Sequence, residues 1–263
     1  MSYHKAFHKI LIIIILTISS HAFTQNNHGA FKTGEWFKYK LRYGIINAGY
    51  ATLEVQDTIY NSQPNYFIKG KGWTTGMVKF FFKVEDVYQT IVDKNTLHPN
   101  YFIRRVNEGG YTKKKDIIFN HITLQARVEN YKHKTSKTYT IPEGIQDMIS
   151  SMYYLRNTDL SSLKLNEEAE VNLFYDQKIN KFKVRFLGKE IIRTKFGKIK
   201  AIMLKPIVES GRVFKGKNSV TVWVSDDENK IPLKIKADLV VGSLKAELES
   251  FKGLANAFPV IFN

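Results

Sequence analysis

Cysteine is absent from this 263-residue chain, which excludes disulfides, thiol nucleophiles, cysteine-ligated zinc or iron–sulfur centres and a lipid-modified N-terminal cysteine. Acids are few: 24 Asp and Glu oppose 40 Lys and Arg, giving a formal charge of +16. Arginine is scarcer still, since eight of the basic residues are Arg and the rest Lys. Such lysine richness, beside many Ile, Asn, Phe and Tyr, also follows from AT-rich codon usage. The basic residues alternate singly along the chain instead of forming a patch, so nucleic acid is not an expected partner, although the positive field favours anionic head groups or acidic glycans. Beyond the first 22 residues no run approaches 18 uncharged apolar residues, so no helical membrane span is expected there.

Recognisable reaction motifs are lacking as well. Gly211-Arg212-Val213-Phe214-Lys215-Gly216-Lys217-Asn218 nearly spells a phosphate-binding loop, but it ends in Asn and is followed by a strand pattern where a helix must begin. Gly70, Gly72 and Gly76 have the wrong spacing for a dinucleotide fingerprint. There is no G-x-S-x-G and no H-E-x-x-H, and His28, His98, His121 and His133 form no pair at metal-ligand spacing. No catalytic residue, metal or cofactor is therefore expected.

What is present begins with an export signal. Lys5 and Lys9 precede the apolar run Ile10 to Ile18, and Ser20-His21-Ala22 offers a small-x-small cleavage site, so residues 1–22 read as a signal peptide and 23–263 as the mature chain. The full chain is 43% hydrophobic, 24% charged and 13% aromatic, and a mature chain of residues 23–263 is long enough to bury a core without disulfide support.

Period two dominates that chain. Phe37, Tyr39, Leu41 and Tyr43 alternate with Lys38, Lys40 and Arg42; Ala51, Leu53 and Val55 with Thr52 and Glu54; Phe182, Val184 and Phe186 with Lys183 and Arg185; Leu233, Ile235 and Ala237 with Lys234 and Lys236. These are half-buried strands, and turn signals such as Asn61-Ser62-Gln63-Pro64, Glu108-Gly109-Gly110 and Asp226-Asp227-Glu228-Asn229 separate them. The expected fold is all-β and mainly antiparallel: a dozen to fourteen strands in a curved sheet, a barrel or two layers. The absence of a strand–helix–strand rhythm argues against parallel nucleotide-binding folds.

One segment departs from this rhythm. After Pro142, residues 143–157 place Ile145, Met148, Ile149, Met152 and Leu155 at helical spacing, predicting one amphipathic helix of about four turns. It divides the strands into two groups of similar size, either one domain or two subdomains. The helix serves as packing for the sheet or as a lid over a ligand, with Gln146, Asp147, Tyr154 and Arg156 as polar anchors or as site residues.

Two further groups are candidates. Met77-Val78-Lys79-Phe80-Phe81-Phe82-Lys83-Val84 reads as a strand whose phenylalanines lie in the core or face a ligand. With Trp73, Trp223, Met148 and Met152, Phe80, Phe81 and Phe82 are the expected contacts for an amphiphile. Among the carboxylates, Glu85, Asp86, Asp93, Asp147, Asp226, Asp227 and Glu228 are candidates for glycoside chemistry, which needs two such groups several ångströms apart. The run from Asp226 to Asn229 reads more simply as a polar hairpin turn.

An ordered set of residues supplies a resemblance. Gly34-Glu35 before an aromatic strand, Ala48-Gly49 with Ala51-Thr52-Leu53, Val92-Asp93 with Leu97-His98-Pro99, Gln146 to Arg156, and Val222-Trp223-Val224-Ser225-Asp226-Asp227 with Ile231-Pro232-Leu233 follow one another across nearly the whole mature chain. This set resembles the exported, Bacteroidetes-type bacterial family called domain of unknown function 3108. The resemblance implies a soluble β-rich protein of the Gram-negative periplasm or cell envelope, with no assigned activity. Three functions compete: a non-catalytic carrier or binding module for a lipid-like amphiphile; a glycan-binding or glycan-cleaving protein using paired carboxylates; and an outer-membrane barrel, against which the mid-strand lysines speak. The first is favoured.

Overall fold

The alternating runs become strands of a single antiparallel sheet in the computed structural model, which describes residues 29–207 and 220–261. The first half comprises β1 (Trp36–Tyr43), β2 (Ile46–Tyr60), β3 (Gln63–Thr74), the short helix α1 (Gly76–Phe81), β4 (Glu85–Asp93), β5 (Pro99–Glu108), β6 (Tyr111–Asn120), β7 (Gln125–Asn130) and β8 (Thr135–Thr140). After the helix α2 (Met148–Arg156) come β9 (Glu168–Tyr175), β10 (Lys178–Thr194), β11 (Gly197–Ile207), β12 (Val220–Ser225), β13 (Pro232–Asp238), β14 (Ser243–Lys252) and β15 (Val260–Ile261). The leader assigned to residues 1–22 and the loop-like Gly211–Asn218 stretch lie outside the described residues.

Spatial order is β8-β7-β6-β5-β4-β3-β2-β1-β14-β13-β12-β11-β10-β9, with β15 beside β11. Two meanders thus join where β14 pairs with β1, bringing Tyr43 opposite Leu244. β8 and β9 stay unpaired with each other, so the sheet is open, and the choice between barrel and two layers resolves into a curled sheet. β8, with the sequence Thr-Ser-Lys-Thr-Tyr-Thr, is almost wholly exposed, a polar edge that discourages further pairing.

Side chains draw the curl inward. The β9–β10 turn, with Asp176 and Gln177 at positive φ, carries Asp176 to within 2.8 Å of both Arg104 and Lys113 on β5 and β6. Phe174 reaches the first half's core, 6.1 Å from Phe119 and 5.7 Å from Tyr139 between ring centres. Alternation then decides what is buried: Phe37 and Tyr39 enter the interior while Lys38 and Lys40 remain half-exposed. At β11 both faces are covered, Ile202 and Leu204 facing one cluster and Ile199 and Ala201 another.

α2 sits within the curl against β4 and β9, and it differs from the sequence expectation in length and in character. The helix begins at Met148, not at 143, because Gln146 is engaged as a strand would be: its N–H donates to Asn172 O and its carbonyl accepts from Phe174 N, each at 2.8 Å. Gly144, at φ +69°, turns the chain beforehand. Nor is the helix two-faced, since Ser150, Ser151 and Arg156 are buried along with Ile149, Tyr153 and Leu155. Sheet surrounds it on more than one side.

The phenylalanine run is the second correction. It forms α1 in the β3–β4 connection instead of a strand, and it is not core: Met77, Phe80, Phe81 and Phe82 are 72%, 86%, 77% and 52% exposed. A six-residue helix capping a sheet end has nothing beyond it to bury against.

Candidate functional site

An apolar cavity of about 260 Å³ lies between α2 and the concave side of the second meander. Met148, Met152 and Leu155 close it from the helix, and Leu173, Phe182, Val184, Leu204, Val222 and Val224 from β9 to β12. Ser151, Arg156 and Lys230 are the polar residues in its wall. Two of the expected amphiphile contacts, Met148 and Met152, therefore line a cavity, and methionine suits an adaptable apolar wall.

The cavity depends on how α2 is held. Asp147 is its N-cap: Oδ1 accepts from Ile149 N at 2.7 Å and Ser150 N at 2.9 Å, while Ser150 Oγ accepts from Asp147 N at 2.8 Å. Oδ2 accepts from Thr90 Oγ1 on β4 at 2.5 Å, tying the helix to the sheet. Burial raises the Asp147 carboxyl to about 6, against the pull of these hydrogen bonds. Gln146 anchors through its main chain only; its side-chain amide is fully buried with neither Oε1 nor Nε2 hydrogen-bonded.

At the other end of the helix Arg156 forms a forked ion pair with Glu35, Nη1 to Oε1 at 2.6 Å and Nη2 to Oε2 at 2.7 Å. Arg156 also donates to Ala30 O at 2.8 Å and to Asn229 O at 3.0 and 3.1 Å. Phe31, Phe37 and Tyr153 surround the guanidinium, with ring centres 5.1 to 5.7 Å away. Burial raises the Glu35 carboxyl above its ordinary value, and Arg156 pulls in the opposite direction. Buried this deeply, the pair joins three distant segments, with Arg156 reaching the cavity wall and Glu35 fully buried behind it. Tyr154 is half-buried, packing both against the core that holds Ile149 and Phe174 and against the cluster of Leu155, Ile202 and Leu204.

The Asp226–Asn229 turn forms as expected. Asp227 accepts from Ser225 Oγ at 2.5 Å, Lys230 N at 3.1 Å and Asn229 Nδ2 at 2.9 Å, and Asp226 pairs with Lys189 at 3.1 Å. Both carboxylates are occupied in shaping or bracing the turn. Trp223 faces away from Val222 and Val224, its Nε1 donating to Glu190 and Lys234 lying over its ring. It packs with a cluster other than theirs and does not line the cavity.

Trp73 belongs to a separate place. With Trp36 it flanks an open groove of about 520 Å³ on the outer face of β1 to β4, lined also by Glu54, Lys69, Lys71, Glu85 and Asp86. Near it, burial and then a hydrogen bond to Asp86 raise the Glu108 carboxyl. His98 and His121, 23 residues apart in sequence, stack with ring centres 5.0 Å apart. Burial and His121 together lower the His98 pKa. Among the described residues no group of three or more His, Asp or Glu could hold a metal.

Sequence reasoning missed Glu35 and Asn229 as partners of Arg156. A signal existed, for Gly34-Glu35, Arg156 and the Asp226-Asp227 turn all belong to the ordered set, and the fold brings them to one knot. It separates the expected contacts into four places: Met148 and Met152 at the cavity, Trp73 at the outer groove, Trp223 beside Glu190 and Lys234, and Phe80, Phe81 and Phe82 at an exposed tip.

Among known structures, one match shows the same kind of fold. A β-barrel-like protein of domain of unknown function DUF1849 from Brucella abortus superposes with a TM-score of 0.58 at 12% identity, covering 85% of this chain and 98% of that one. A candidate exported protein with a YmcC-like fold from Bacteroides fragilis matches 84% of this chain and 97% of its own at 8% identity, with a TM-score of 0.32. A candidate lipoprotein from Parabacteroides distasonis covers 84% and 96% at 15% identity, with a TM-score of 0.32. No curated protein matches the chain in sequence. The profile of a protein family of unknown function, DUF3108, matches residues 38–249, and the chain belongs to that family.

Proposed function

We propose that this chain is an exported protein of the bacterial periplasm or envelope that binds an amphiphile without chemical change, holding its apolar part between α2 and β9 to β12. The observation that carries this reading is the apolar cavity, about 260 Å³ in volume and faced by Met148 and Met152. Sites for drug-sized molecules start near 300 Å³, so the occupant is one acyl chain or a comparably slender molecule, not a two-chain lipid. Lys230 in the wall supplies a cation for an acidic head group. Arg156 is already committed to Glu35. An N-terminal segment with the order of a signal peptide agrees with the location.

Displacement of a fluorescent naphthylamine by a long-chain fatty acid or a lysophospholipid tests the reading. Val222→Phe, which fills the cavity from β12, is expected to weaken binding about tenfold or more. Native mass spectrometry of protein taken gently from cells, followed by organic extraction, should identify the occupant. Unchanged affinity in Val222→Phe would refute the assignment.

A second reading rests on the outer groove, where Trp36 and Trp73 lie beside lysines and carboxylates, an arrangement suited to binding a glycan. Loss of glycan binding in Trp73→Ala, with fatty-acid displacement retained, would favour it.

A further inference from the structure

In an antiparallel meander every second connection emerges at the same end of the sheet, so consecutive connections build one rim. Here the connections β13–β14, β1–β2, β3–β4 and β5–β6 lie side by side. The pairings fix the rim: Tyr43 stands opposite Leu244 and donates to Val241 O at 2.9 Å, Thr75 N donates to Ala48 O at 3.1 Å, and Gly109 N donates to Lys83 O at 2.8 Å.

Three of these four connections carry apolar side chains into solvent; the fourth, β5–β6, is Gly109-Gly110, with Tyr111 exposed at the start of β6. Val241 is 73% exposed, Ile45 98%, and Phe80 and Phe81 86% and 77%. α1 buries none of its residues. At the opposite end of the same eight strands, Ile59, Ile122 and Leu124 are the exposed large apolar residues among those described. Single exposed hydrophobics are ordinary, whereas a row along one rim marks a surface that meets something apolar. Lys79 and Lys83 flank the three phenylalanines and are exposed, Lys83 also pairing with Glu85 at 3.0 Å, and the whole chain carries +16. Apolar tips at the acyl boundary with lysines at head-group level are the arrangement by which proteins settle on anionic bilayers.

We infer that this rim, led by Phe80 and Phe81, docks the protein on the surface of an anionic phospholipid bilayer. The inference is independent of the cavity, which Phe80 and Phe81 do not line. A flat bilayer suits a row of separate tips better than a protein groove would, because the tips of β13–β14, β1–β2 and β3–β4 need no common pocket.

Co-flotation of purified protein, its N-terminus established by mass spectrometry, with vesicles of phosphatidylglycerol and phosphatidylethanolamine tests it. Wild type is expected to float with these vesicles, to bind phosphatidylcholine vesicles weakly, and to be released by salt. Phe80→Ser with Phe81→Ser should weaken binding about tenfold or more at an unchanged melting temperature, while Ile122→Ser at the opposite end should leave it unaltered. The inference is overturned by failure of the wild type to bind, by equal binding of the double variant, or by sedimentation showing that the rim instead joins two copies of the chain. Fatty-acid displacement in the double variant should stay as in wild type, so this result and that of Val222→Phe are read separately.

Discussion

Replacing Arg156 with Met removes the cation from Glu35 while keeping most of the side-chain volume, and the structure sets the expected cost. Both partners are buried, with 3% and 0% of their side chains exposed, and the guanidinium alone compensates the Glu35 charge through paired bonds of 2.6 and 2.7 Å. Breaking a buried pair by removing one partner costs about 3 to 5 kcal/mol, and the carbonyls of Ala30 and Asn229 lose donors as well. For a chain of this size about 4 kcal/mol corresponds to a fall of roughly 8 to 16 °C in melting temperature. The pH dependence separates charge from packing. With its folded pKa raised above the unfolded value, Glu35 favours the folded state most below about pH 4.5 and loses that contribution as pH rises through the folded value. Loss of Arg156 raises the folded value further, so the deficit of the variant should be large near neutral pH and small at about pH 4. Urea unfolding at both pH values measures it, and Glu35→Leu combined with Arg156→Met should recover part of the loss. A deficit below about 1 kcal/mol, or one equal at the two pH values, would refute this account of the pair.

Two other substitutions probe the start of α2. Asp147→Ala removes the N-cap and leaves the buried Thr90 hydroxyl without its acceptor, which should cost about 2 to 4 kcal/mol in urea unfolding. Because its folded pKa of about 6 exceeds the ordinary 3.8, the Asp147 contribution is fully present below about pH 4 and is lost as pH rises through 6. Asp147→Asn keeps a capping oxygen and should abolish that dependence, so the stability difference between the two proteins should vary by up to about 3 kcal/mol over this interval; a constant difference would count against a buried, raised carboxyl. Gln146→Met replaces an amide with no hydrogen-bond partner and should raise stability by about 1 kcal/mol. A loss instead would mean that the amide serves a bound group.

The strands were legible because burial in a sheet repeats every two residues: Phe37 and Tyr39, or Val184 and Phe186, announce their face by alternation alone. Met148 and Met152 were legible for the same kind of reason, standing four apart on a helix. The opposite wall of the cavity was not, since Leu173, Leu204 and Val222 come together only when β9 to β12 curl over α2. Glu35 and Arg156 are 121 residues apart, and nothing local distinguishes a carboxylate that will be buried from one that will be solvated. α1 misled for a physical reason: an apolar run implies coverage only where the chain can find a covering layer, and a connection beyond the last pair of a sheet has none.

Of the ordered residues of the resemblance, Glu35, Arg156, Asp147, Asp226 and Asp227 hold the fold together, their charged groups engaged by partners within the chain, whereas the buried Gln146 amide has no such partner. A group whose hydrogen bonds are spent internally has little left for a substrate. Besides the outer groove between Trp36 and Trp73, what stays available is apolar: a small cavity faced by adaptable methionines and a rim of exposed Phe, Ile and Val with lysines beside it. Both suit lipid-like material better than a reacting polar substrate. They need not serve the same molecule, because the cavity is a small space of about 260 Å³ whereas the rim is a row of separate tips. A protein that rests on a membrane by its rim and shelters one acyl chain under α2 would use the curled sheet for both, with the Glu35–Arg156 knot keeping the helix in place.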